Sequence, residues 1–167
     1  MSMKILGSMK ISKIDDSDFD SVLALNEASV PNVNLIDRAE LRWFVDNAAF
    51  ACVAKIDERL AGFLIGLRPG TSYESPNYRW FCSNYEDFAY IDRVAVSKWA
   101  RRQGVAASLY ASFAHSQADA VVLTCEVNTR PPNLGSMIFH EQLGFVQVGT
   151  QETNNGEKEV ALMEKSL

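Results

Sequence analysis

"RVAVSKWARRQGVAASLY", residues 93–110, changes character twice. It opens as β-branched strand sequence, passes through Lys98, Arg101 and Arg102, and continues as a small-residue helix with Gly104 near its start. The first backbone N–H groups of a helix have no internal partners, and the aligned dipole makes that end attractive to anions. Gly104 lacks a Cβ, so a ligand can approach the backbone, and Ala106 and Ala107 keep the next positions small. The arginines add charge where a polyanion would arrive. Two readings follow: a phosphate site between strand and helix, or a solvated basic turn leading into an ordinary amphipathic helix. Neither GxGxxG nor GxxxxGK[ST] occurs in the chain, so the usual glycine-rich nucleotide motifs are excluded.

Working outward, "FAYIDRVAV" ahead of this helix and "AVVLTCEV" behind it read as strands. Strand–helix–strand over 88–127 predicts a parallel crossover. Upstream, "KISKID" alternates as a short strand, and "DSDFDSVLALNEASV" and "LIDRAELRWFVDN" carry helical spacing. "AFACVAKIDERLAGFLIGLRPG" is a hairpin turning at Asp57-Glu58-Arg59. Residues 69–87, "PGTSYESPNYRWFCSNYED", are dense in turn formers and read as a long loop. Downstream, a Pro-Pro break precedes a helix at "NLGSMIFHEQLG", and two strands close the chain around "FVQVGT" and "KEVALME". The expected architecture is α/β: a mixed sheet of about seven strands flanked by helices, in one domain spanning 1–167.

Composition bounds the rest. A chain of 167 residues with 47% hydrophobic content can bury a core. No stretch reaches the roughly 18 apolar residues of a membrane span. "MSMKILGSMK" has neither the apolar run nor the cleavage site of a secretion signal. Cys52, Cys82 and Cys125 are odd in number and far apart, forming neither a disulfide framework nor a CxxC pair, so no metal site is expected and a cytoplasmic location is. A net charge of −5 argues against nucleic-acid binding.

"VAVSKWARRQGVA" resembles the acetyl-CoA motif of the GNAT superfamily of N-acetyltransferases, R/Q-x-x-G-x-G/A, through Arg101, Gly104 and Ala106. The family's second signature is an Asn, a small residue three later, an aromatic seven later, then LGF. "NLGSMIFHEQLGF" is similar to it through Asn133, Ser136, His140 and Leu143-Gly144-Phe145. The order of elements matches from about residue 10 onward. The resemblance implies the GNAT-like acyl-CoA N-acyltransferase fold and acetyl-CoA as acetyl donor. It implies that the main chain of Val94, Ala95 and Val96 pairs with the pantetheine arm as an added strand would. N–H groups of Arg102, Gln103, Gly104, Val105 and Ala106 would hold the pyrophosphate, with Arg101 packing at the loop and Asn133 and Ser136 facing the cofactor. The fourth and fifth strands of the family splay apart, and the acetyl group sits in that gap.

The chain departs from the family at His140, where many members carry the tyrosine that protonates the departing thiolate. Asn133, Ser136 and His140 lie at i, i+3, i+7 on one helix face. His140 also falls near the helix C-terminus, where the dipole favours an imidazolium able to donate a proton. The alternative is a half-buried histidine filling the tyrosine's volume. The transfer also needs a base to take the ammonium proton. Asp92 is the choice because it shares the cofactor's strand, with Glu126 second. Cys125 as a covalent carrier competes poorly with a buried inert thiol.

The resemblance implies a primary amine as acceptor, on a small molecule or on a peptide or protein. Tyr73, Glu74, Tyr78, Trp80, Phe81, Tyr85, Glu86 and Asp87 of the loop would clasp a cationic amine. The same residues would otherwise cover a sheet edge or meet a second subunit in a homodimer. Two functions of different class therefore stand: direct acetyl transfer in a ternary complex, and a non-catalytic acyl-CoA or metabolite sensor of the same fold.

Overall fold

The computed structural model describes residues 8–167. Among them the strands β1 (Met9–Lys13), β2 (Phe50–Ile56), β3 (Arg59–Leu67), β4 (Ala89–Val96), β5 (Val122–Arg130), β6 (Val146–Thr153) and β7 (Lys158–Ser166) form one mixed sheet. Their order is β1-β2-β3-β4-β5-β7-β6. Helices α1 (Phe19–Ala28), α2 (Arg38–Asn47), α3 (Pro76–Asn84), α4 (Val105–Ser116) and α5 (Leu134–Gln142) flank it. None of the described helices is long and apolar enough to cross a membrane. The described residues divide into two compact units: one holds those up to Ile65 together with Arg93–Ser116, the other Gly66–Asp92 together with Gln117–Leu167.

In the first unit β1 pairs antiparallel with β2, from Met9 opposite Ile56 to Lys13 opposite Cys52. Asp57 and Glu58 join β2 to β3 with φ of 51° and 66°, the left-handed pair that a two-residue hairpin needs to match strand twist. Arg59, expected in the turn, opens β3 instead. Asp37 and Glu40 close a capping box at the start of α2: Glu40 N donates to Asp37 Oδ1 at 2.8 Å and Asp37 N to Glu40 Oε2 at 2.7 Å. Leu41 and Phe44 of α2, Phe19 and Val22 of α1, and Leu109 and Phe113 of α4 supply the core. Gly62 on β3 is fixed by packing. A Cβ there would lie 2.7 Å from the Ala95 carbonyl oxygen and 3.0 Å from Val105 Cγ1.

In the second unit β4 runs parallel to β5, Ala89 opposite Leu123 and Tyr90 opposite Thr124. β5 and β6 each pair antiparallel with β7. Arg68 ties the connections together, reaching Asp87 at 2.7 Å, Asp119 at 2.9 Å and Gln117 at 3.1 Å. The segment expected as loop contains α3. Ser75 caps it, accepting from Tyr78 N at 3.4 Å, and Pro76 sits in its first turn, where the missing N–H costs nothing. Tyr78 and Phe81 are buried with Phe88 and Tyr90 in an aromatic cluster. Trp80 lies over Gly149 of β6, where a Cβ would come within 3.1 Å of its ring.

Candidate functional site

The turn between β4 and α4 belongs wholly to the first unit. Val94, Ala95 and Val96 end β4, with Ala95 buried and its neighbours half-buried. Ser97 anchors the exit, donating from N to Ala61 O at 2.8 Å and from Oγ to Leu60 O at 3.1 Å. A 3-10 turn over Lys98–Ala100 follows. The Arg59 guanidinium covers the Trp99 ring at 4.3 Å, and Gln103 Nε2 donates to the Trp99 carbonyl at 3.1 Å. Arg101 is extended, while Arg102 and Gly104 take φ of 63° and 76°. Those two left-handed residues delay the helix: α4 begins at Val105, so Gly104 stands ahead of the helix rather than inside its first turn. A non-glycine residue such as Arg102 is held there at a cost of about 1–2 kcal/mol.

Among the described residues the N–H groups of Arg102, Gln103, Gly104, Val105, Ala106 and Ala107 donate to no acceptor, and the first helical bond runs from Ser108 N to Gly104 O at 3.0 Å. Gly104 has no side chain with which to cap, and a Cβ built on it would meet no atom within 4 Å. A run of unpartnered donors at a helix N-terminus, open in front and flanked by the exposed Lys98, Arg101 and Arg102, is chemically suited to an anion with several oxygens.

The second unit holds the candidate base. Tyr73 donates its hydroxyl to Asp92 Oδ1 at 2.6 Å. Tyr90 turns its hydroxyl to both oxygens of Glu126, at 2.8 and 2.7 Å. Burial, with the nearby charges of Glu126 and Asp92, pushes the Tyr90 phenol well above its ordinary pKa, so it stays protonated and acts as donor. Thr124, opposite Tyr90, is fully buried and its hydroxyl oxygen has no partner among the described residues. Cys125 is also buried, and burial raises its thiol pKa well above the usual value, which disfavours the thiolate that covalent catalysis needs. The aromatic clasp dissolves into packing: Tyr78 and Phe81 are core, Trp80 covers Gly149, Tyr85 bonds Glu164 and Asp87 bonds Arg68. Tyr73 alone of that group carries a hydroxyl to a candidate site residue.

Asn133 is the N-cap of α5, its Oδ1 accepting from Ser136 N at 3.2 Å. His140 is 3% exposed and its ring lies edge-on to Phe139 and Phe145, 5.2 Å from each. Its Nδ1 donates to the Ser136 carbonyl at 2.7 Å. That bond favours the imidazolium, but burial outweighs it and lowers the pKa below the ordinary histidine value. Arg93, next to Asp92 in sequence, sends Nη1 to Asn26 Oδ1 and to the Asn34 carbonyl, each at 2.9 Å, a buried network with no sequence signal of its own. Among the described residues no group of His, Cys, Asp and Glu is arranged to hold a metal ion.

Residues 14–145 match the model of the acetyltransferase (GNAT) family. No curated protein matches the chain in sequence. Among solved structures the chain is similar to Naa50 of Arabidopsis thaliana in complex with the bisubstrate analogue CoA-Ac-MVNAL, at 14% identity and a TM-score of 0.74, covering 96% of this chain and 99% of that one. Ard1 of Thermoplasma volcanium is similar at 17% identity and a TM-score of 0.71, covering 95% and 97%. A ribosomal-protein-alanine N-acetyltransferase of Brucella melitensis gives 19% and 0.69, covering 95% and 99%.

Proposed function

Because the chain belongs to the acetyltransferase (GNAT) family, we propose that it transfers the acetyl group of acetyl-CoA to a primary amine by direct attack. The observation that carries this reading is the run of unpartnered N–H groups from Arg102 to Ala107 around an open Gly104. Those donors suit the pyrophosphate, with Val94, Ala95 and Val96 offering main chain to the pantetheine arm. Acetyl-CoA supplies an activated acyl carbon joined to a good leaving group.

Asp92 takes a proton from the acceptor's ammonium, which leaves the nitrogen lone pair free to attack. The C–N bond forms as the C–S bond breaks, the nitrogen sheds its surplus second proton to become the amide, and the departing thiolate takes up a proton. His140 can give that proton only as the imidazolium, and burial confines that form to pH below its ordinary range. The burial of His140, which disfavours its imidazolium, is also what favours the second reading, a non-catalytic acyl-CoA sensor.

A panel of small amines and of peptides, including MVNAL, tested with acetyl-CoA and a thiol reagent separates the two. Thiol release with one class of amine supports transfer. Acetyl-CoA that raises the melting temperature yet releases no thiol with any amine overturns it in favour of sensing.

A further inference from the structure

We infer that Tyr73 is a positioning residue for Asp92, fixing the carboxylate in one orientation for proton transfer; this rests on the assignment of Asp92 as base. The contact is 2.6 Å from hydroxyl to Oδ1, the length of a charge-assisted bond to a carboxylate. The phenol is itself fixed from two sides. Its ring lies 5.5 Å from that of Tyr78, and its backbone N donates to Thr71 Oγ1 at 3.3 Å. Tyr78 is 1% exposed, and its hydroxyl donates to the Arg68 carbonyl at 2.8 Å while accepting from Thr71 Oγ1 at 3.0 Å. The hydroxyl on Asp92 is thus set by the core rather than by a mobile surface side chain.

The two candidate bases, Asp92 and Glu126, are held differently. Tyr90 divides one hydroxyl between both oxygens of Glu126, whereas Tyr73 addresses a single oxygen of Asp92. A carboxylate has about four lone-pair sites, so a phenol on Oδ1 orients the group without itself filling the acceptor capacity that an ammonium would use. Ionisable groups near Asp92 include Tyr73 from the segment before α3 and Tyr90 on its own strand, which in turn bonds Glu126 of β5.

The test is a double-mutant cycle with acetyl-CoA and the peptide MVNAL, together with NMR of the full chain carrying 13C-carboxyl aspartate. Tyr73→Phe keeps the ring on Tyr78 and removes only the hydroxyl. It should lower kcat about tenfold with both KM values unchanged, and add nothing in an Asp92→Asn background, where the group it orients is gone. The Asp92 carboxyl resonance, identified by its loss in Asp92→Asn, should move in Tyr73→Phe. An equal loss of kcat in both backgrounds, or an unmoved resonance, overturns the inference. Turnover undiminished in Asp92→Asn overturns the base assignment instead, and the resonance still decides whether Tyr73 holds the carboxylate. Should the wild-type protein leave MVNAL unmodified, the choice of acceptor fails and the resonance alone decides.

Discussion

From Arg102 to Ala107 successive backbone donors stand without acceptors, while Asp92, Glu126 and His140 each have a hydrogen-bond partner from their own unit. The first region is backbone, left incomplete at the end of β4. The second consists of side chains, tied to Tyr73, Tyr90 and the Ser136 carbonyl. A segment that binds an anion works by holding donors in reserve, since the ligand supplies the acceptors. A side chain that moves a proton works from a fixed orientation, which a neighbour must provide. The start of α2 shows that the open turn is no general habit of the chain, because there Asp37 and Glu40 satisfy each other's backbone donors.

The strongest way to break this contrast is to complete the open turn from within. Gly104→Asp puts an acceptor and a negative charge among the donors, so affinity for acetyl-CoA should fall about 100-fold or more by calorimetry, as expected when two charge-assisted bonds are lost. Gly104→Asn tolerates the same left-handed φ without the charge, and its smaller loss would isolate the electrostatic part. Unchanged affinity in the Asp variant would refute the reserve of donors. On the other side, Asp92→Asn should lower kcat about 100-fold at neutral pH and recover part of it at alkaline pH, where the amine deprotonates unaided. The same loss at every pH would make Asp92 a structural residue and move the base assignment to Glu126.

His140 sharpens the second half. It is buried with a lowered pKa, so the unfolded chain binds its proton more readily than the folded one. Stability should therefore fall as pH drops through about 6.5, the pKa of the unfolded histidine. His140→Phe should show a smaller difference in melting temperature between pH 7 and pH 5. Turnover preserved in that variant would mean that another group protonates the thiolate. The smallest effect belongs to the completed cap: Asp37→Ala should cost about 1 kcal/mol. That corresponds to a fall of about 2–4 °C in melting temperature, with acetyl-CoA affinity untouched.

The parts legible in sequence were those set by local chemistry. The strand–turn–helix at 93–116, the helix at 134–142 and both hairpins follow from periodicity, glycine placement and turn residues. Helix α3 was hidden because Pro69, Gly70, Ser72, Ser75, Pro76 and Asn77 outweigh a short apolar pattern. The signal was nonetheless there: Ser75-Pro76 is a cap followed by a first-turn proline, and Tyr78, Phe81 and Tyr85 follow at i, i+3 and i+7. The delayed start of α4 was hidden for a different reason, since nothing in Arg102 itself announces a left-handed backbone. The contacts that orient the side chains were not legible at all. Tyr73 and Asp92 are 19 residues apart, Tyr90 and Glu126 are 36 apart, and only the folded register brings them together.

Gly62 gives the open turn its alignment. In mechanical terms it acts as a datum face: β3 seats against the Ala95 carbonyl and against Val105, the first residue of α4, with a clearance that no side chain fits. The direction of the donors ahead of Val105 is therefore referenced to the core through a position that touches no ligand. Gly62 and Gly104 are thus constrained in different ways, one by the clearance behind the turn and the other by the backbone angle within it, so Gly62→Ala should displace the donors although the position touches no ligand.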